Sequence, residues 1–175
     1  MRASIFVGTS LDGFIARLDG SLDWLPSGDE DEDHGFAEFF ASVDALVMGR
    51  HTYQTVLGFG AWPYGTKPVY VLASSPLASL PPGAVVQRLA GEPRDVVARL
   101  EALGVRHAYV DGGITVQRFL DAGLVQRLVL TRVPVLIGTG IPLFGALARD
   151  VRLRHVATRT FATGLVQSEY EVVGA

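Results

Sequence analysis

Twice in this chain a short apolar run stops at glycine and passes straight into helical spacing. Ala45-Leu46-Val47-Met48 leads into Gly49-Arg50-His51-Thr52, and His107-Ala108-Tyr109-Val110 leads into Asp111-Gly112-Gly113-Ile114-Thr115. A strand that becomes a helix without a connecting loop leaves the first N–H groups of that helix, and its positive dipole end, at the rim of a sheet. Strands alternating with helices in this way call for an α/β architecture with parallel pairing. At 175 residues, 49% of them hydrophobic, the chain can bury one substantial core but not two. A single domain over residues 1–175 is expected.

The remaining elements follow from period and punctuation. Residues 4–7 form a first buried strand before the turn Asp12-Gly13, and helical spacing of Phe36, Phe39, Phe40 and Val43 predicts a helix over 33–42. Residues 69–72 are a further strand, and Val85-Val86 starts another apolar stretch. An amphipathic helix spans 93–103, closed by Gly104, and the second junction opens a helix over 115–122. Strands are expected at 128–132 and 135–137, with a loop at 138–142. Residues 151–160 and 165–173 are expected to close the chain as an antiparallel hairpin, which makes the sheet mixed.

Composition narrows the function. Net charge is −3 and the basic residues, Lys67 and otherwise arginine, are scattered rather than striped, so nucleic acid is not an expected partner. Cysteine is absent, which removes thiolate chemistry and cysteine-held metals. The four histidines show no paired spacing with carboxylates, and no metal is expected. No run approaches the roughly 18 apolar residues of a membrane span. A cytoplasmic enzyme or binding protein working on a small molecule is the expectation.

The motifs each admit a plain reading. Gly49 and Gly112-Gly113 suit any tight strand-to-helix turn, while the guanidinium of Arg50 and the hydroxyl of Thr52 suit a phosphate. The second junction lacks the third glycine of a dinucleotide fingerprint. The acidic run from Asp29 to Asp33 fails as a calcium loop, because His34 stands where glycine is required and Phe40 where a bidentate glutamate is required. It suits a solvated helix N-terminus, or, at Asp33, a carboxylate facing a heterocycle. Trp24 is either a core anchor or a pocket aromatic.

Taken together, these residues resemble the dihydrofolate reductase-like superfamily over nearly the whole chain. Thr9-Ser10-Leu11-Asp12-Gly13-Phe14-Ile15-Ala16 resembles its first strand and active-site loop, with Trp24 where that loop carries tryptophan. Val47-Met48-Gly49-Arg50-His51-Thr52-Tyr53 is similar to the segment that holds a 2′-phosphate, Val71-Leu72-Ala73-Ser74 to the adenosine-side strand, and Val110-Asp111-Gly112-Gly113 to the pyrophosphate turn. Leu130-Thr131 resembles a strand bearing a pocket threonine. Ala122-Gly123-Leu124-Val125 and Gly138-Thr139-Gly140-Ile141-Pro142-Leu143-Phe144 bring it nearer to the RibD C-terminal reductase type, standing alone without the deaminase half.

That resemblance implies a three-layer α/β/α fold with a central mixed sheet and a C-terminal antiparallel hairpin. It also implies an NADPH-dependent reductase, similar to 5-amino-6-(5-phosphoribosylamino)uracil reductase, with dihydrofolate reduction or a non-catalytic nucleotide-binding module as alternatives. Cofactor contacts are then expected from Gly8, Ile15, Gly49, Arg50, His51, Thr52, Leu72, Ala73, Ser74, Asp111, Gly112, Gly113, Ile114 and Thr115. Substrate contacts are expected from Trp24, Asp33 and Thr131, with Asp33 the catalytic carboxyl. A homodimer is implied by the same resemblance.

Overall fold

A computed structural model describes residues 1–26 and 33–174, so most of the acidic run, Asp29 to Glu32, lies outside the described residues. Among the described residues ten strands and four helices follow in the order β1 (Arg2–Ser10), β2 (Phe14–Ala16), α1 (Phe36–Ala41), β3 (Ala45–Gly49), α2 (Arg50–Leu57), β4 (Val69–Leu72), β5 (Val86–Leu89), α3 (Pro93–Ala102), β6 (His107–Asp111), α4 (Gly113–Asp121), β7 (Arg127–Val133), β8 (Ile141–Pro142), β9 (Leu153–Thr160) and β10 (Val166–Val172). Eight strands form one sheet in the order β5-β4-β3-β6-β1-β7-β10-β9. The first six in that order are parallel, β10 runs antiparallel to β7, and β9 closes the hairpin against β10.

Strand alternation sorts the core into two layers. From β1, β3 and β6, the side chains of Ile5, Val47 and Val110 point to one face, where Val96 and Leu100 of α3 and Val116 and Phe119 of α4 cover them. Leu46, Met48 and Tyr109 point to the other face, under Phe39 of α1 and Tyr53 and Val56 of α2. The architecture is therefore the three-layer α/β/α arrangement with a mixed sheet and terminal hairpin. Pro93 stands in the first turn of α3, where its missing N–H costs nothing. Among the described residues no helix is long and apolar enough to cross a membrane.

Three expectations are corrected. Residues 135–137 are not a strand. Pro134 cannot donate to a ladder, and the N–H groups of Ile137 and Gly138 bond instead to the Asp12 carboxylate at 3.3 and 2.8 Å. Residues 141–142, expected within a loop, pair with β2 as a small second sheet. The helix expected over 33–42 begins at Phe36. The Asp33 carboxylate accepts the N–H groups of Gly35 and Ala37 at 2.9 and 2.7 Å, and so ends the preceding chain there as a cap does.

Candidate active site

Parallel pairing brings the carboxyl ends of β1, β3, β4 and β6 to one rim, the place where open α/β sheets bind ligands. Helix α2 starts at Arg50, immediately after the end of β3, and α4 starts at Gly113, two residues past Asp111. Between them and the loop that follows β2 lies a cleft of about 580 Å³, within the range of small-molecule sites.

The two junctions lock into each other. A Cβ added at Gly49 would stand 3.0 Å from the Thr115 hydroxyl of α4, and one added at Gly112 would stand 2.1 Å from the Thr52 hydroxyl of α2. Each junction glycine thus makes room for the threonine of the opposite helix. Gly112 also has φ +89° and ψ 148°, a backbone state in which side chains are strained. Loop and rim meet closely as well, since a Cβ on Gly8 would lie 3.2 Å from Leu25 and one on Gly113 would lie 3.1 Å from Ile15.

All fourteen residues expected to touch a cofactor line this cleft. Gly8 and Ile15 come from β1 and β2; Gly49, Arg50, His51 and Thr52 from the first junction; Leu72, Ala73 and Ser74 from the end of β4; and Asp111 to Thr115 from the second. The Arg50 guanidinium is already oriented. It donates to the carbonyl of Pro76 at 3.0 Å, to the Ser75 hydroxyl at 2.9 Å and to the Ser75 carbonyl, which fixes its plane beside α2. Asp111 is half-buried at the floor. Its carboxyl accepts the Gly112 N–H at 2.8 Å, and desolvation pushes its pKa up to about 6. The Tyr109 hydroxyl beside it donates to the Phe6 carbonyl at 2.8 Å.

The three residues expected at the substrate stand elsewhere. Trp24 does not line the cleft; it is half-buried, and its neighbours Leu22 and Leu25 take the lining positions. The Thr131 hydroxyl is buried in β7, one strand behind Gly8, and accepts a hydrogen bond from Gln167 at 2.9 Å. Asp33 is exposed and outside the lining. Its two backbone bonds, the one from Ala37 foremost, hold its carboxyl below the ordinary range. A carboxylate held ionised and spent on a helix start is poorly suited to donate a proton. Asp33→Ala is expected to lower the urea midpoint while changing nucleotide affinity less than about twofold, as titration calorimetry would show. The motifs did not reveal Phe6, Leu22, Leu25, Val56, Phe59 and Tyr64, an apolar wall drawn from elements far apart in sequence.

Residues 4–167 match the model of the RibD C-terminal domain. The chain belongs to the RibD C-terminal domain family. Proteins of similar sequence include a putative riboflavin biosynthesis protein from Shewanella sp. PV-4, whose crystal structure is 39% identical, covers 98% of this chain and 99% of its own, and superposes with a TM-score of 0.89. The uncharacterized protein YwjB of Bacillus subtilis is 33% identical over 95% of both chains. The RibD C-terminal fold extends to dihydrofolate reductase of Enterococcus faecalis, solved in complex with NADP(H), at a TM-score of 0.66, 16% identity, and coverage of 98% and 96%. This RibD-type chain accordingly has the fold of RibD-like and dihydrofolate reductase-like reductases.

Proposed function

We propose that the protein is a cytoplasmic NADPH-dependent reductase that delivers hydride to the carbon of a C=N bond in a pyrimidine- or pterin-type small molecule. The observation that carries this reading is the pair of interlocked helix N-termini on one cleft. Two sets of N–H groups and an oriented guanidinium suit the phosphates of a dinucleotide, and the rim at Gly112-Gly113 has no Cβ to keep a pyrophosphate away. NADPH, when bound, supplies the hydride, while a proton from solvent completes the new C–H and N–H pair.

The chain's own part is placement. Arg50 and Thr52 take the 2′-phosphate, with His51 beside them and Leu72, Ala73 and Ser74 along the adenosine. Asp111 to Thr115 hold the pyrophosphate turn, and Gly8 and Ile15 present backbone to the nicotinamide amide. Held against an apolar wall with water displaced, donor and acceptor gain chiefly from proximity. Asp33 is assigned no proton transfer. A homodimer is part of the proposal. β9 is an edge strand exposed along its whole length with Leu153 and Val156 on it, and an uncovered edge of this kind invites pairing with a second copy. Light scattering at twice the monomer mass would support it.

The test of the cofactor is titration with NADPH and NADH, read by nicotinamide fluorescence. Saturable binding that prefers NADPH is expected, and Arg50→Ala should weaken NADPH by about tenfold or more while barely moving NADH, since the loss is that of charge-assisted bonds to one phosphate. Equal losses for both nucleotides would remove Arg50 from the 2′-phosphate. Binding without turnover on any pyrimidine, pterin or imine would leave a nucleotide-binding module.

A further inference from the structure

A phosphorylated acceptor has to be met by fixed cations or by converging N–H groups. Among the described residues the cleft lining has three basic side chains, Arg50, His51 and Arg118. The first two stand on the opening turn of α2, at the nucleotide rim. Arg118 stands on α4 and is paired with Glu92 at 2.8 Å. The apolar part of the lining, Phe6, Leu22, Leu25, Val56, Phe59 and Tyr64, presents no base.

Cations on the neighbouring segments are held by other groups or line another cavity. Arg17, one residue past the lining residue Ala16, is held by both oxygens of Asp23 at 2.6 and 3.0 Å. Lys67 donates to the carbonyls of Phe40, at 2.7 Å, and Val43, and lies over the Phe40 ring. Arg127 is clamped by Glu169 at 2.6 and 3.0 Å, and it and Arg159 line a smaller cavity of about 110 Å³ under α1, on the far side of Phe6, which lines both. Residues 27–32, Ser-Gly-Asp-Glu-Asp-Glu, contribute no base by sequence. Burying a phosphate dianion against such a wall leaves its charge unpaired, which is strongly unfavourable, whereas aromatic faces and edges suit a flat ring.

We infer that the hydride acceptor of this protein is built on a neutral, planar heterocycle and carries no phosphate, its ring seated against the apolar lining formed by Phe6, Leu25, Val56, Phe59 and Tyr64. The inference rests on the proposed reading insofar as that reading places the nucleotide at the N-termini of α2 and α4.

The experiment is calorimetric titration with a matched pair, 5-amino-6-(ribosylamino)uracil and its 5′-phosphate. Each is added to the free protein and to protein loaded with NADP+, after a separate NADP+ titration of the same sample. Expected is binding of the unphosphorylated compound at least about tenfold tighter than its phosphate in both series. Equal or tighter binding of the 5′-phosphate overturns the inference, and so does failure of both compounds to bind. The NADP+ titration stands apart: saturable NADP+ binding beside a phosphate-preferring acceptor site would sink the inference and leave the cofactor reading intact. A variant supplies the converse. Phe59 is 57% exposed at the mouth, so Phe59→Arg adds a base without opening the core. The 5′-phosphate should then bind about tenfold tighter than it does to the parent protein. An unchanged affinity for the phosphate in Phe59→Arg would overturn the placement of the acceptor on that wall.

Discussion

Gly112→Ala is expected to lower the free energy of unfolding by about 3 kcal/mol, combining a strained backbone with a displaced neighbour. At φ +89° and ψ 148° the residue occupies a region that side chains rarely enter, and the added methyl would meet the Thr52 hydroxyl at 2.1 Å and the Thr52 Cβ at 3.2 Å. One of two things has to give: the turn between β6 and α4, or the first turn of α2. Urea unfolding measures the sum, and a second substitution separates its parts. Thr52→Ala in the Gly112→Ala background removes the nearest atom, so a partial recovery of stability is expected, with the backbone strain left behind. Full recovery would show that the positive-φ turn costs nothing; no recovery would show that α2 was never displaced. Nucleotide affinity should fall with Gly112→Ala alone, since the same turn faces the proposed pyrophosphate.

The second large effect is on pH dependence. Burial pushes the Asp111 carboxyl up to about 6 from an ordinary value of 3.8. The folded protein therefore favours the neutral acid. Stability from this residue is fully present below 3.8, where both states are protonated, and is lost as pH rises to about 6, because the unfolded chain ionises first. A rise of about two in pKa corresponds to about 3 kcal/mol. Asp111→Asn keeps the shape without the charge, so the stability of the variant relative to the parent should improve by about 2–3 kcal/mol between about pH 4 and about pH 7.5. Urea midpoints for the two proteins at each pH provide the check, and other titrating groups cancel in the comparison. A constant difference would mean that Asp111 is solvated and ionised in the folded protein.

Both strand-to-helix junctions were legible because their signals are local. A glycine, a change of period from two to 3.6 and a phosphate-compatible side chain lie close together in the chain, and every residue assigned to the nucleotide from those motifs lines the cleft. The apolar part of the lining was not legible, since Phe6, Leu22, Val56 and Tyr64 meet only through tertiary packing. Asp33 illustrates the limit. Its position before an aromatic helical run suits both a capping carboxylate and a substrate carboxylate, and only the bonds to Gly35 and Ala37 decide between them. Residues 135–137 carry a strand's composition, yet Pro134 and the reach of Asp12 from 125 residues away divert their backbone. The small sheet of β2 and β8 joins segments too short to announce themselves.

The exchange of threonines across the two junctions has an evolutionary consequence. Because each glycine admits the other helix's hydroxyl, a side chain gained at Gly49 or Gly112 has to be matched by a smaller one at Thr115 or Thr52. Drift on that side of the molecule is thereby slowed, and two mutations are needed where one would otherwise serve. The apolar lining has no such exchange: its side chains come from β1, the loop after β2, the end of α2 and the connection beyond it, and the exposed Phe59 can be replaced without a partner. A scaffold divided in this way can keep one nucleotide for a long time while trying out many acceptors, changing its diet without having to relearn how to hold its reductant.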